Sequence, residues 1–476
     1  MKQKDYHKDI LINGAVTRCY PLCAAQRLHY NTVRTGSKAQ VLNIGTGLYI
    51  KLDVDFNMLK GAIKQAIMHM DSARLRFTQD EDGNVYQYIV PTDDRDIRLY
   101  DFSDKTEEEC NDIFRGWTCE PMNIYNSCLN LINMIKMPDG YNGIYMKVNH
   151  LTMDSSSVIA FYTDILETYS NMVYGYDAPK PMIPYIEQLQ KDLAYEDNSE
   201  QQKKDEEFFI SLYKDRPEGI YTDFAGMGRL LTQRRETGNP NLRDVLLNCG
   251  DTTAAISVFQ LEKEATDKLM SFCEENHIPF VQLIMMAMRT VLSKFNDNEK
   301  DVSIKTVVAR RGTLSEKKSG GTRVHFYPVR TIIEPETPFM EAIKMIQAEQ
   351  SRIFRHANYD PVKVLGMTSE YGNARPYGTY DCMSITYQPM SLRAKNTKLP
   401  DIPYKSAWYT NGVAAQPLYL TIMHRPEDGG LNFNFEYQVE EVTHKEMEFF
   451  YYYLCRVLFC AAENKDRTVG EILELI

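Results

Sequence analysis

The sequence predicts an α+β protein built as two lobes, and three observations carry that reading. Apolar residues recur at helical spacing in several segments, they alternate at strand spacing in others, and a polar, proline-bearing stretch at 177–205 separates two such mixtures. At roughly 150 residues per domain, a chain of 476 residues accommodates two or three. The expected boundaries are therefore a first lobe at 1–176, a linker at 177–205 and a second lobe at 206–476.

In the first lobe, Leu59, Ile63, Ala66 and Ile67 share one face of a predicted helix, and RFTQDEDGNVYQYIV alternates about an Asp82-Gly83 turn as a hairpin. GIYMKVNH then reads as a half-buried strand with Ile144, Met146 and Val148 on its apolar face. An amphipathic helix follows through Val158, Phe161, Ile165, Leu166 and Tyr169. In the second lobe, FQLEKEATDKLMSFCEENHIPFVQLIMMAMRTVLSKF reads as two helices, VSIKTVVARR and HFYPVRTII as strands, and PFMEAIKMIQAEQSRIF as a helix. Later strands are expected in CMSITYQP and PLYLTIMHRPEDGGLNFNFEYQV, with a final helix from His444.

Composition excludes several classes of function. With 43% hydrophobic residues, 25% charged residues and a net charge of −11, the chain is an ordinary globular one, poorly suited to phosphate backbones. The ten cysteines, at 19, 23, 110, 119, 128, 249, 273, 382, 455 and 460, form no C-x-x-C pair and join no zinc-spaced histidines, so no metal site is expected. They read as reduced thiols. The N-terminal segment lacks the apolar core of a signal peptide, and FVQLIMMAM at 280–288 is far shorter than a membrane span, so the expected location is the cytoplasm. The 31 tyrosines, 20 phenylalanines and 23 methionines first supply core, and no substrate is chosen from them.

Histidine is the natural acid or base near neutral pH, and three of the nine have an aspartate four residues on: His150/Asp154, His356/Asp360 and His424/Asp428. Spacing alone does not separate them, so context must. Asp428 belongs to a hairpin turn with Gly429 and Gly430, while His356 closes a helix and Asp360 precedes Pro361 in a turn. His150 instead stands at a strand-to-helix corner, where rigid elements present a side chain to a cleft. There Asp154 either caps the helix or holds an arginine that fixes the loop. A merely structural corner histidine remains the alternative.

The segment NHLTMDSSSVIAFYTDIL resembles the HHxxxDG active-site motif of nonribosomal peptide synthetase condensation domains and their chloramphenicol-acetyltransferase-like relatives. Other segments extend the resemblance in order along the chain. PLCAAQRLHYN at 21–31 is similar to the family's S-x-A-Q motif with Cys23 for serine, and SARLRF at 72–77 to its R-H-E-x-L-R motif. GGTRVHFYPVR at 320–330 resembles G-x-F-V-N-T-x-P-L-R, keeping Gly321, Pro328 and Arg330, and HANYDPVKVL resembles H-Q-D-x-P-F-E. The chain departs from the pattern at Asn149 for the first histidine, Ser155 for the glycine, and Asp71 and Ser72 in the second motif. These departures suggest a branch away from standard peptide synthesis.

The resemblance implies two chloramphenicol-acetyltransferase-like lobes in a V-shaped pseudo-dimer, with a tunnel between them. It implies attack of an amine or alcohol on an acyl thioester, with His150 deprotonating or positioning the acceptor. Asp154 then has a structural role, partnered by Arg76; a direct bond to His150 would raise the imidazole pKa and protonate the base. Backbone N–H groups near Met153 and Asp154, or the Ser384 hydroxyl, are the candidate oxyanion donors, with a plain strand residue as the simpler reading of Ser384. No carrier attachment motif or phosphate-binding loop is present, so the thioester is expected on a separate carrier protein or coenzyme A, with no bound cofactor. Arg311, Lys317, Lys318 and Arg323 form a basic cluster that either meets such a donor or is a solvated loop. The expected function is a free-standing, monomeric acyltransferase forming amide bonds. Ester formation on an alcohol and a non-catalytic module that docks carrier proteins are the alternatives.

Overall fold

The computed structural model describes residues 4–93, 95–247, 252–388, 402–425 and 428–476. Cys249, and Pro389, Pro426 and Glu427 in the expected late strands, lie outside them. The chain divides into two compact units, but not at a single point. Unit 1 comprises 1–202 together with 309–324 and 391–412, and unit 2 comprises the remainder.

Unit 1 begins with strands β1 (Lys8–Ile12) and β2 (Ala15–Pro21). Asn13 and Gly14 join them with φ of 50° and 82°, the paired left-handed conformations of a tight hairpin. Helix α1 (Ala24–Arg34), β3 (Asn43–Ile50), α2 (Phe56–His69), β4 (Leu75–Gln79), β5 (Val85–Ile89), β6 (Leu99–Asp101) and α3 (Glu107–Cys119) follow. β7 (Asn130–Lys136), β8 (Asn142–Asn149), α4 (Ser155–Tyr174) and α5 (Tyr185–Glu196) complete the first stretch. β1, β2, β5 and β4 form one sheet; the strand Tyr404–Tyr409, β3, β8, β7 and β6 form a second. Asp55 caps α2 by accepting hydrogen bonds from the Asn57 and Met58 N–H groups, and the helix buries the predicted Leu59, Ile63, Ala66 and Ile67.

The centre of the second sheet is covered on both faces, so β8 is buried from Gly143 to Asn149 rather than half-buried as its alternation predicts. Ile144, Met146 and Val148 enter the core with α2 and α4, while Tyr145 packs with Phe114 of α3. Lys147 is the polar residue that makes the strand look half-solvated. Its Nζ lies 2.7 and 3.0 Å from the Trp117 and Glu120 carbonyls, satisfying acceptors at the carboxyl end of α3.

The stretch 177–205 is likewise not a bare linker. α5 lies within it and buries Tyr185, Leu189 and Leu193 in the core that holds Cys23 and Leu151. Three turns with apolar residues at helical spacing outweigh the prolines, which sit before the helix at 179, 181 and 184.

In unit 2, strands 254–261, 431–438, 418–424, 383–388, 301–308 and 325–332 form one sheet in that order, packed with helices 263–275, 280–295, 339–354 and 444–463. The strand 383–388 is parallel to both neighbours. Phe259, Gln260 and Leu261, predicted to open a helix, instead pair in antiparallel register with Phe433, Asn432 and Leu431. Sheet pairing here overrides local helical spacing.

The segment 309–324 joins two adjacent strands of unit 2 yet is part of unit 1. Its two glycines explain how it fits. Gly320 and Gly321 have φ of 68° and 78°; a Cβ at Gly320 would lie 2.6 Å from Ser72 Oγ, and one at Gly321 would lie 2.4 Å from the Tyr185 ring. Alanine at Gly321 is therefore both strained and clashing, whereas at Gly14 nothing lies within 4 Å of the added carbon. Gly14→Ala is expected to cost about 1 kcal/mol and Gly321→Ala at least about 2 kcal/mol by denaturant unfolding. Equal costs would contradict the close approach at Tyr185.

Candidate active site

β8 ends at Asn149, and the backbone turns through His150–Met153 before α4 begins. Asn149 Oδ1 accepts from the Leu151 N–H at 3.0 Å, and the His150 N–H donates to the Leu42 carbonyl at 2.6 Å. A third clamp comes from α1. Gln26 is fully buried, and its Nε2 donates to the Leu151 carbonyl at 3.1 Å while its Oε1 accepts from the Cys23 N–H at 3.0 Å. Asn149 thus holds the corner through its amide. Ser155 is the first residue of α4, where helical backbone makes no demand for glycine.

Asp154 is fully buried and caps α4, accepting from the Ser157 N–H at 2.9 Å. Its two oxygens lie 2.8 and 2.9 Å from Arg311 Nη2, and Oδ2 also accepts from the Arg323 N–H at 2.9 Å. Burial alone would raise this carboxyl; Arg311 and the backbone donors outweigh it and hold it below its ordinary 3.8. Both sequence alternatives for Asp154, the cap and the arginine, are therefore present together.

The arginine is Arg311, which corrects the expected pairing with Arg76. Arg76 lies on β4, where it donates to the Leu75 carbonyl at 2.9 Å and faces Asp93 at 3.7 Å. Neither member of the basic cluster nearest the corner is a solvated cation. Arg311 and Arg323 have side chains 8% and 3% exposed; Arg323 pairs with Asp192 of α5 at 2.6 Å and with Glu316 at 3.2 Å. Their charges are neutralised within the unit, so they are not donor-binding cations in this arrangement.

His150 makes no bond to Asp154. Its Nδ1 lies 3.4 Å from Thr322 Oγ1, and its ring stacks on His29 of α1 with centroids 3.7 Å apart and planes at 22°. Burial pulls its pKa below the ordinary 6.5, and the Asp154 carboxylate opposes this only in part. The corner thus carries a neutral imidazole at neutral pH. His29 is a residue that sequence reasoning misses, although it lies three residues after Gln26 and so on the same face of α1.

The other histidine–aspartate spacings have structural partners in unit 2. His356 Nδ1 meets Asp205 at 2.8 Å, and Asp360 caps the helix at 361–370. His424 Nε2 meets the Tyr387 hydroxyl at 2.6 Å, and Asp428 pairs with Arg425. Ser384 is buried on a unit 2 strand, its hydroxyl donating to Gln416 Oε1 at 2.7 Å. Among the described residues there is no metal-binding cluster and no single helix long and apolar enough to cross a membrane.

A carboxyl held below 3.8 stabilises the fold above that pH and ceases to do so as pH falls through the depressed value. Asp154→Asn keeps a capping oxygen but leaves Arg311 unpaired. It is expected to cost about 3 kcal/mol by denaturant unfolding. The deficit should persist from neutral pH down to 3.8 and shrink below it; a pH-independent deficit would contradict the ion pair.

Comparison with known proteins finds relatives over nearly the whole chain. The Condensation domain family profile matches residues 16–475. Surfactin synthase subunit 1 of Bacillus subtilis (strain 168) is 21% identical over 462 residues, covering 95% of this chain and 12% of its own length. The dimodular nonribosomal peptide synthase of the same organism is 21% identical over 439 residues, covering 90% of this chain and 17% of its own length. The chain thus spans a small part of these relatives. The first condensation domain of the calcium-dependent antibiotic synthetase, in complex with substrate analogue 3a, superposes with a TM-score of 0.78 at 17% identity over 95% of this chain and 98% of that one. A doubly substituted starter condensation domain of the rhizomide synthetase RzmA, in complex with C8-CoA and Leu-SNAC, gives 0.75 at 17% identity over 95% and 96%. The chain belongs to the condensation-domain family.

Proposed function

We propose that this chain joins an acyl or aminoacyl thioester, held on a carrier protein or coenzyme A, to an amine, with His150 as the acceptor-facing group. The observation that carries the reading is an imidazole at a rigid corner whose neighbouring carboxylate is committed to Arg311 and not bonded to the ring. With Nδ1 turned to Thr322, the reading assigns Nε2 to the acceptor.

The chemistry asks little more. The amine lone pair attacks the thioester carbonyl carbon, the C–N bond forms, and the proton shed by nitrogen passes to His150. Collapse of the tetrahedral intermediate breaks the C–S bond, and the thiolate leaves with that proton. Thioesters are already activated, so orientation and a single base cover most of the barrier. Asp154 acts on the loop and does not relay the proton. The RzmA starter domain carries C8-CoA in its complex, which favours including acyl-coenzyme A donors in any assay.

The test is product mass spectrometry with loaded carrier proteins and acyl-coenzyme A as donors and amines and alcohols as acceptors. His150→Ala is expected to lower transfer by about 100-fold or more. Ester formed in place of amide would assign an alcohol acceptor, and carrier binding without transfer would assign a docking module. Because the His150 pKa is pulled down, the acid limb of kcat/KM is expected below pH 6.5, read with an acceptor that does not titrate in that range. A limb above 6.5 would contradict a neutral, desolvated base.

A further inference from the structure

His29 has no part in the mechanism above, yet it makes the closest ring contact in which His150 takes part. The centroid separation of 3.7 Å and the interplanar angle of 22° place the two imidazoles face to face. α1 is fixed where it carries His29: Cys23 and Gln26 form its capping box, and Gln26 bonds the Leu151 carbonyl, one residue past His150. The two rings are thus brought together by the same short length of backbone. His29 Nε2 is buried and has no hydrogen-bond partner, so the ring is not held there by a bond at that nitrogen.

We propose that His29 is a positioning residue for the acyl transfer, a ring that fixes the plane of the His150 imidazole and closes one of its faces to water. This rests on the assignment of His150 as the acceptor-facing group.

The surrounding charges are consistent with a neutral stacking partner. Asp154 from the start of α4 and His29 from α1 act on His150 directly, and Arg311 and Arg323 of the segment 309–324 are bonded to Asp154. Asp154 is neutralised by Arg311, and Arg323 by Asp192 and Glu316. Arg27, also on α1, pairs with Glu196 at 2.8 Å. Cys23, whose Sγ lies 3.9 Å from the Thr322 carbonyl, has its thiol pushed up to about 11 by burial and is uncharged at neutral pH. Burial, and then the adjacent His150, pull the His29 pKa well below 6.5. Two imidazolium rings this close repel strongly, so a proton taken up by the pair resides on His150 while His29 stays neutral. Burial is also the leading cause of the low His150 pKa, and a ring lying flat on His150 contributes directly to that burial.

The test uses the full chain with 13C-labelled histidine, the His150 resonance being assigned by its loss in His150→Ala. His29→Ala opens the face to solvent, and the His150 titration point is expected to rise by about 0.5 or more toward 6.5. Transfer should fall roughly tenfold in kcat, with its acid limb moving up alongside the titration point. His29→Phe keeps a flat ring without a titratable group, and it is expected to hold the wild-type titration point and transfer within about threefold. An unchanged titration point in His29→Ala would overturn the proposal. So would a His29→Phe variant that behaves like alanine while His29→Gln retains activity, which would assign a hydrogen-bonding role instead. The titration does not depend on turnover, so a protein that transfers nothing would overturn the functional reading while leaving the stacking measurement interpretable.

Discussion

A single buried carboxylate organises the corner of this protein. Asp154 is removed from water, and a lone charge there would be costly enough to shift its pKa upward or disrupt the fold. It is stabilised instead by Arg311 and by backbone N–H groups from Ser157 and Arg323. Those partners come from α4 and from the segment 309–324. Meeting the needs of one charge therefore ties together pieces of chain more than 150 residues apart in sequence.

The remainder of the arrangement follows from that tie. For Arg311 and the Arg323 N–H to reach Asp154, the segment must approach α5 and the 3-10 turn at Asp71–Arg74 closely, and Gly320 and Gly321 permit the approach. Arg323 then finds Asp192, and Ser157 Oγ donates to the Gly321 carbonyl at 2.5 Å. Thr322, between the glycine pair and Arg323, is left beside His150 Nδ1. Because Asp154 is occupied, the imidazole keeps its low pKa. A carboxylate bonded directly to it would produce the opposite charge state.

Much of this is legible in the sequence, and the exceptions have physical causes. Periodicity locates α2, α4 and the hairpin of β4 and β5 because their apolar faces meet one core each. It understates β8, because a lysine that looks solvent-facing in fact satisfies the carboxyl end of α3 with its amine. The corner histidine and its aspartate stand out through local context and ordered motifs. Arg311 does not, since nothing local distinguishes an arginine paired 157 residues away from one on a solvated loop. Arg76 is the plausible choice by motif, but β4 directs it toward Asp93. His29 is carried by a motif segment and shares a helix face with Gln26, yet nothing in the sequence indicates that this face meets the His150 corner.

The central claim is that Asp154 acts through Arg311 to hold the loop and not as a proton relay to His150. A double-mutant cycle on acyl transfer with Asp154→Asn, Arg311→Gln and the pair tests it most directly. The account predicts that each single variant lowers kcat by a similar factor and that the double variant is little worse than either. Additive losses, or an Arg311→Gln enzyme with wild-type turnover beside an inactive Asp154→Asn, would contradict it and return the carboxylate to His150.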